Sequence, residues 1–248
     1  MRFGLNRGAG QASRVIPPSR YSVTGYAATT KASRSQGSES SLEQDFMKLL
    51  EYDNRVHRFV AQPFTLRWVD EKGHRRRYTP DTIVKFSDWA YRVDPKLRTT
   101  IFEVKPREIL RKEWSELKPK FRAMTRWARD RGCIFRVVTE DHIRTPYLKN
   151  ANFLMRFRLN AIGDAPDGGE QQRLLLEALY RLQESTPREL LEAISPNREL
   201  QLRLIPWLWN LVTQDLIGVN LMEPLTMASK IWTVESEAQR YFHENHDF

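Results

Sequence analysis

The sequence predicts a mixed α/β domain followed by a smaller, mainly helical domain of winged-helix type. Three observations carry this expectation. Over residues 40–140 the apolar spacing switches between helical and strand-like in the order helix, three strands, helix, strand. Gly163, Pro166 and the Gly168-Gly169 pair then break the chain. Beyond the break the charge changes sign: residues 1–167 hold 33 Lys and Arg against 19 Asp and Glu, whereas residues 168–248 hold 7 against 12.

Taken in order, residues 1–39 read as a basic, poorly structured leader, with six Lys or Arg, one acid and a Pro17-Pro18 pair. Ser40 N-caps a helix whose apolar face is Leu42, Phe46, Leu49 and Leu50, and Asp53-Asn54 ends it. Phe64 to Val69 alternates as a strand, Asp70 to Gly73 is a turn, and His74 to Phe86 resumes extended structure interrupted by Pro80. Thr99 to Lys105 is a β-rich run stopped by Pro106. Trp114, Leu117, Phe121, Met124 and Ala128 mark a long amphipathic helix with Gly132 as its C-cap; Pro119 either starts its regular part or kinks it. Ile134 to Thr139 is the last strand of the domain, and the helix before it implies that it runs parallel to 99–105. The expected domain spans 40–160, with a linker at 161–169.

Residues 170–248 read as three helices, 174–182, 187–194 and 199–216, followed by β-like pieces at 219–222 and 231–234. Three helices and a hairpin suggest a winged helix-turn-helix.

The composition removes several classes of function. A single cysteine, Cys133, excludes a disulfide framework and a cysteine-based zinc cluster, and reads as a small buried hydrophobe. Met1-Arg-Phe-Gly-Leu5 is no signal-like run, and the apolar stretch 204–212 is well short of the ~18 residues a membrane span needs. No membrane association is expected. The net charge of +9 points to a polyanion, and its concentration in the first two thirds of the chain assigns that partner to the α/β domain.

The chemistry is concentrated in Thr79-Pro80-Asp81 and Phe102-Glu103-Val104-Lys105. Strand alternation puts Glu103 and Lys105 on one face. Asp81, on the preceding strand, supplies a second carboxylate. Two carboxylates are hard oxygen ligands suited to magnesium or manganese, and a nearby lysine can orient water and offset phosphate charge. The plainer alternative is a solvated Glu103–Lys105 pair on an edge strand with Asp81 in a turn. Glu43, three residues after Ser40, reads as its partner in a capping box. Arg75, Arg76 and Arg77 before Asp81, and Arg107, Arg111 and Lys112 after Lys105, are expected to contact the phosphates of the polyanion. The basic residues of the long helix read as a solvated face, and Trp89, Trp114 and Trp127 as core.

The arrangement of helix, strands, Pro-Asp, Glu-x-Lys, helix and strand resembles the PD-(D/E)xK, or restriction-endonuclease-like, nuclease fold. The finer run resembles the TnsA family of bacterial transposon endonucleases. It consists of Ser-Leu-Glu43, Leu-Leu-Glu-Tyr-Asp53, Gln62-Pro63, Arg-Tyr-Thr-Pro-Asp81, Phe-Glu-Val-Lys-Pro106 and Phe-Arg-Val-Val-Thr-Glu-Asp141. The resemblance implies that Glu43, Asp81 and Lys105 are catalytic with Glu103, and that Glu43, Asp81 and Glu103 hold Mg2+, for which Mn2+ substitutes. It also implies cleavage of the 5′ strands of double-stranded DNA at transposon ends in the bacterial cytoplasm. The expected partners are a DDE transposase, TnsB, and an AAA+ regulator, TnsC, bound through the C-terminal domain. The acidic balance of that domain separately favours a protein partner over DNA. Two rival readings stand: a stand-alone repair or restriction nuclease, and a non-catalytic DNA-end-binding adaptor.

Overall fold

A computed structural model describes residues 25–27, 31, 36–38, 40–158, 168–235 and 239. Ile143 closes one compact unit and Arg144 opens the next. The expected nuclease domain runs on to residue 160, but the helix at 146–154 belongs to the second unit. Of the expected linker, 161–167 lies outside the described residues, and the Gly168-Gly169 pair opens a helix.

In the first unit β1 (Gly25–Ala27) and β2 (Gln36–Ser38) form an antiparallel ladder beside the following helix, α1, and the strand after it. For the residues described there, this ladder departs from the expectation of a poorly structured leader. The ladder was illegible because three-residue strands are too short to show a period. Helix α1 (Ser41–Tyr52) is capped by the Ser40 side chain, which accepts from the Glu43 N–H at 3.2 Å. Asp53 ends it and holds Arg55 in a buried ion pair, with Nη2 to Oδ2 at 2.8 Å.

The next strand, β3 (Val56–Ala61), is absent from the sequence reading, which begins its strands at Phe64. A register shift between Val56 and Arg58 interrupts its side-chain alternation, which is the signal that periodicity relies on. Among the described residues the strands β4 (Leu66–Val69) and β5 (Arg75–Tyr78) pair only with each other, as a hairpin. Its turn is the expected one, with Gly73 at φ +81°. Then come β6 (Thr82–Phe86), the short helix α2 (Asp88–Val93), which the sequence reading also lacks, and β7 (Thr100–Val104). After β7 follow α3 (Arg107–Lys112), α4 (Trp114–Arg129), β8 (Ile134–Val138) and α5 (Glu140–Ile143).

The main sheet has the order β3-β6-β7-β8, antiparallel except for the parallel pair β7–β8. The parallel pairing agrees with the sequence. Phe102 packs edge-on against Phe46 of α1, with ring centroids 5.0 Å apart. Ile101 faces the opposite core with Met124 and Ala128 of α4, Leu66 and Tyr78 of the hairpin, and Cys133. Pro119 lies inside α4 instead of opening it. Gly132 at φ +66° closes that helix, with the Cys133 N–H bonded to the Ala128 carbonyl and the Gly132 N–H to that of Arg129.

The second unit contains α6 (Pro146–Leu154), a 3-10 turn at Met155–Phe157, α7 (Gly168–Leu182), β9 (Glu184–Ser185), α8 (Pro187–Ile194), α9 (Arg198–Thr213), β10 (Ile217–Val219) and β11 (Ile231–Thr233). The three strands form one antiparallel sheet in the order β10-β11-β9. Helix, strand, helix, helix, strand, strand is the winged-helix order. Thr186 and Glu189 complete a capping box at α8, where the sequence places the cap.

Gly218 lies in β10 opposite Trp232. A Cβ there would fall inside the Trp232 indole. Gly218→Ala is therefore expected to destabilise this unit by about 1–3 kcal/mol through overpacking. A thermal melt with an unchanged midpoint would refute the contact.

Candidate active site

The register of β6 and β7 pairs Thr82 with Phe102, so Asp81, just before β6, comes opposite Glu103. The Asp81 Oδ2 accepts from the Val104 N–H at 2.7 Å, which locks the Pro-Asp corner to the catalytic-looking strand. Glu103 and Lys105 share a face as expected, with Lys105 Nζ 3.6 Å from Glu103 Oε1. This is no solvated edge pair. β7 is central, all five of its residues are buried, and Glu103 is 1% exposed.

Two further residues complete the surroundings of Glu103: Tyr78, which has no role of its own in the sequence reading, and Lys120, whose reading as part of a solvated helix face is corrected here. The Tyr78 hydroxyl donates to Oε2, and Lys120 Nζ of α4 lies 3.3 Å from Oε1 and 4.8 Å from the centroid of the Tyr78 ring. A signal for Lys120 was available: residues 117, 120, 121 and 124 lie on one helical face, and Lys120 is the only charge among three apolar positions. Three donors therefore compensate a carboxylate that would otherwise be costly to bury.

Asp81 is compensated less well. Burial, then the carboxylates of Glu103 and Glu43, push its carboxyl well above the usual range, against the pull of Lys105 and the Val104 N–H. Burial works to lower Lys105, but Glu103, Asp81 and Glu43 outweigh it and hold the ammonium above its ordinary value. Tyr78 is raised far above its usual value by burial and by Glu103. The Glu43 carboxylate accepts from the Ser40 hydroxyl at 3.2 Å, so its contact with the cap residue and its electrostatic influence on the site coexist.

Among the described residues no three Asp, Glu, His or Cys side chains form a ready metal cage. Magnesium needs none: it is commonly held by one or two carboxylates, with water and substrate phosphate completing its octahedron. The donor set is hard oxygen, and Asp81 lies opposite Glu103 with the Glu43 carboxylate acting on it as well, so the site fits a divalent cation.

The expected DNA contacts fall in two places. Arg75, Arg76 and Arg77 lie exposed on β5, and Arg76 Nε is bonded to Asp70 Oδ2 at 2.8 Å. Arg107 pairs with Asp141 at 2.6 Å, while its backbone N–H donates to Glu140. Arg107 and Arg111 line a surface cleft with Leu110 and Trp114, and Lys112 is exposed beside it. Trp114 is 48% exposed, which corrects its reading as core. Its place at the first turn of α4 brings it to the rim of that cleft. Trp127 stacks on Phe64 at 4.3 Å.

Asp70 is held down at about 2, chiefly by the Arg76 hydrogen bond and then by the His74 N–H. The lowered value favours the folded hairpin above the ordinary carboxylate range, and that contribution fades as pH falls. Arg76→Ala is expected to return Asp70 most of the way to the ordinary range; an NMR titration of the Asp70 carboxyl that does not move would remove the pairing.

The decisive comparison is with a protein-family model. Residues 53–140 match the model described as TnsA-like endonuclease N terminal. The first unit carries a TnsA-like endonuclease domain. The match begins where α1 ends and stops at the start of α5, so it contains Asp81, Glu103, Lys105, Tyr78 and Lys120 while Glu43 precedes it. Over these residues the chain is thus similar to a TnsA-like endonuclease domain. No match is found among curated proteins. Among the described residues no helix is long and apolar enough to cross a membrane.

Proposed function

We propose that the chain is a magnesium-dependent endodeoxyribonuclease that cuts the 5′ strands at transposon ends, working with a DDE transposase of the TnsB kind. The observation that carries this is the meeting of Asp81, Glu103 and Lys105 at one end of paired strands inside a TnsA-like endonuclease domain. Asp81 and Glu103, with Glu43 from the start of α1, would hold Mg2+ or Mn2+. The ion supplies Lewis-acid stabilisation of the phosphate and lowers the pKa of a water. Lys105, kept as an ammonium, donates a hydrogen bond that orients the attacking water and offsets charge on the phosphoryl oxygens. Tyr78 and Lys120 are positioning residues that fix the Glu103 carboxylate. Arg75, Arg77, Arg107, Arg111 and Lys112 supply phosphate contacts, and Arg76 joins them by giving up Asp70.

The division of labour along the chain follows the charge. The first unit carries the cations, whereas the winged-helix unit is acidic overall and suits a protein, the AAA+ regulator TnsC, better than DNA. The setting is the bacterial cytoplasm. The full chain, incubated with the transposase and a transposon-end duplex, is expected to nick the 5′ strands with Mg2+ or Mn2+ and to stop on chelation. Undiminished cutting in chelator would refute metal dependence. One observation favours a rival: Glu103 is already satisfied by Tyr78, Lys120 and Lys105, as in a structural adaptor. Calorimetry separates the two, because an adaptor shows no metal-linked DNA binding that depends on Asp81.

A further inference from the structure

The hairpin of β4 and β5 stands outside the main sheet, and its pairing sets two unlike faces. Leu66 opposite Tyr78 and Trp68 opposite Arg76 look one way; Arg67 opposite Arg77 and Val69 opposite Arg75 look the other. Leu66, Tyr78 and Trp68 join the core. The outer face therefore consists of three arginines and Val69, all exposed, with Val69 at 63%. Among the described residues neither Arg67, Arg75 nor Arg77 has an acidic partner, whereas Arg76 on the opposite face is tied to Asp70.

This pattern opposes stability. Arg67 and Arg77 are direct cross-strand neighbours, and like charges in that position repel. An exposed valine beside them adds nothing to the core. A polyanion laid along the face would reverse the sign of the repulsion. The shape specifies which one: the major groove of B-DNA admits a two-stranded β-ribbon, while the minor groove is about half as wide.

We propose that the β4–β5 hairpin docks, outer face inward, in the major groove of duplex DNA. Arg67, Arg75 and Arg77 reach the groove walls and guanine edges, and Val69 meets the groove floor, where thymine methyls lie. The proposal rests on the reading that the chain acts on DNA. It adds a docking element and a residue, Arg67, that the cleavage site does not require.

The test uses the full chain in chelator with a guanine-containing duplex, so that no cutting occurs. Dimethyl sulfate reports guanine N7 in the major groove, and anisotropy reports affinity across a salt series. Wild type is expected to protect N7 at low salt. Arg67→Ala combined with Arg75→Ala and Arg77→Ala should lose that protection, bind about tenfold more weakly or worse, and flatten the log–log salt slope by about 0.9 per phosphate contact removed. A charge-matched control in the second unit, Arg173→Ala with Arg181→Ala and Arg203→Ala, should keep the protection. If the first triple variant fails to fold, Arg67→Gln with Arg77→Gln relieves the cross-strand repulsion, and the same loss of protection is expected. No protection by wild type, protection unchanged in the hairpin variants, or equal losses in the two triple variants would each overturn the proposal. Because the assay needs neither metal nor Asp81, cutting that survives Asp81→Ala would sink the cleavage reading and leave this one standing.

Discussion

Asp81→Ala and Lys105→Ala are each expected to lower strand cleavage by about three orders of magnitude or more while leaving DNA affinity in chelator within a few-fold of wild type. The two losses have different causes. Asp81 is the less compensated carboxylate, so removing it takes away the charge that a divalent cation would neutralise. Lys105 sits 3.6 Å from Glu103 under the field of three carboxylates, and its ammonium persists above the ordinary lysine range. On the proposed reading it is expected to act as a donor and not as a base. The rate should show no limb from Lys105 deprotonation as pH rises toward the ordinary lysine value. Cleavage that survives in both variants, measured with the transposase present, would remove the site assignment. A limb that Lys105→Arg shifts would instead make the lysine a base.

The second large effect concerns stability, where Glu103 and Asp81 should behave oppositely. Glu103→Ala leaves the buried Tyr78 hydroxyl and two lysine ammoniums without their shared acceptor. Losing one partner of a buried charge network costs ~3–5 kcal/mol, but both lysines retain some access to water, so the lower end is expected. For Asp81→Asn the sign reverses. A carboxyl whose folded value is raised contributes stability at low pH that is lost as pH rises through that value. At neutral pH without metal, Asp81→Asn should therefore melt above wild type, by roughly 2–4 °C for each kcal/mol of relieved repulsion. The gap should close on acidification. Divalent cation should raise the wild-type midpoint and leave the variant where it was. A variant less stable than wild type at neutral pH would show that the Val104 N–H and Lys105 already compensate Asp81 in full.

Much of the site was legible because its chemistry is local in sequence. Alternation alone puts Glu103 and Lys105 on one face, and Pro80 marks the corner that presents Asp81. The strand before them was not legible, because the bulge between Val56 and Arg58 erases its period. Trp114 was misplaced for a related reason. Helical spacing extends the apolar stripe to residue 114, but at the first turn of α4 that stripe has passed the edge of what it covers. Tyr78 and Lys120 came from a hairpin and a helix that meet Glu103 only when both pack on one face of the sheet.

The sequence by itself determined the element types over most of 40–140, the parallel pairing of the last two strands, the Pro-Asp and Glu-x-Lys pair, and the separation of a basic part from an acidic one. These follow from residue spacing and charge, which need no long-range contact to read. Tertiary structure alone decided that Glu103 is buried and shared by Tyr78, Lys120 and Lys105, that Asp81 lies opposite it under-compensated, and that three arginines stand on the outer face of a separate hairpin. Burial, register and the partners of a charge are properties of pairs distant in sequence, and they set the cost of each charge at the site.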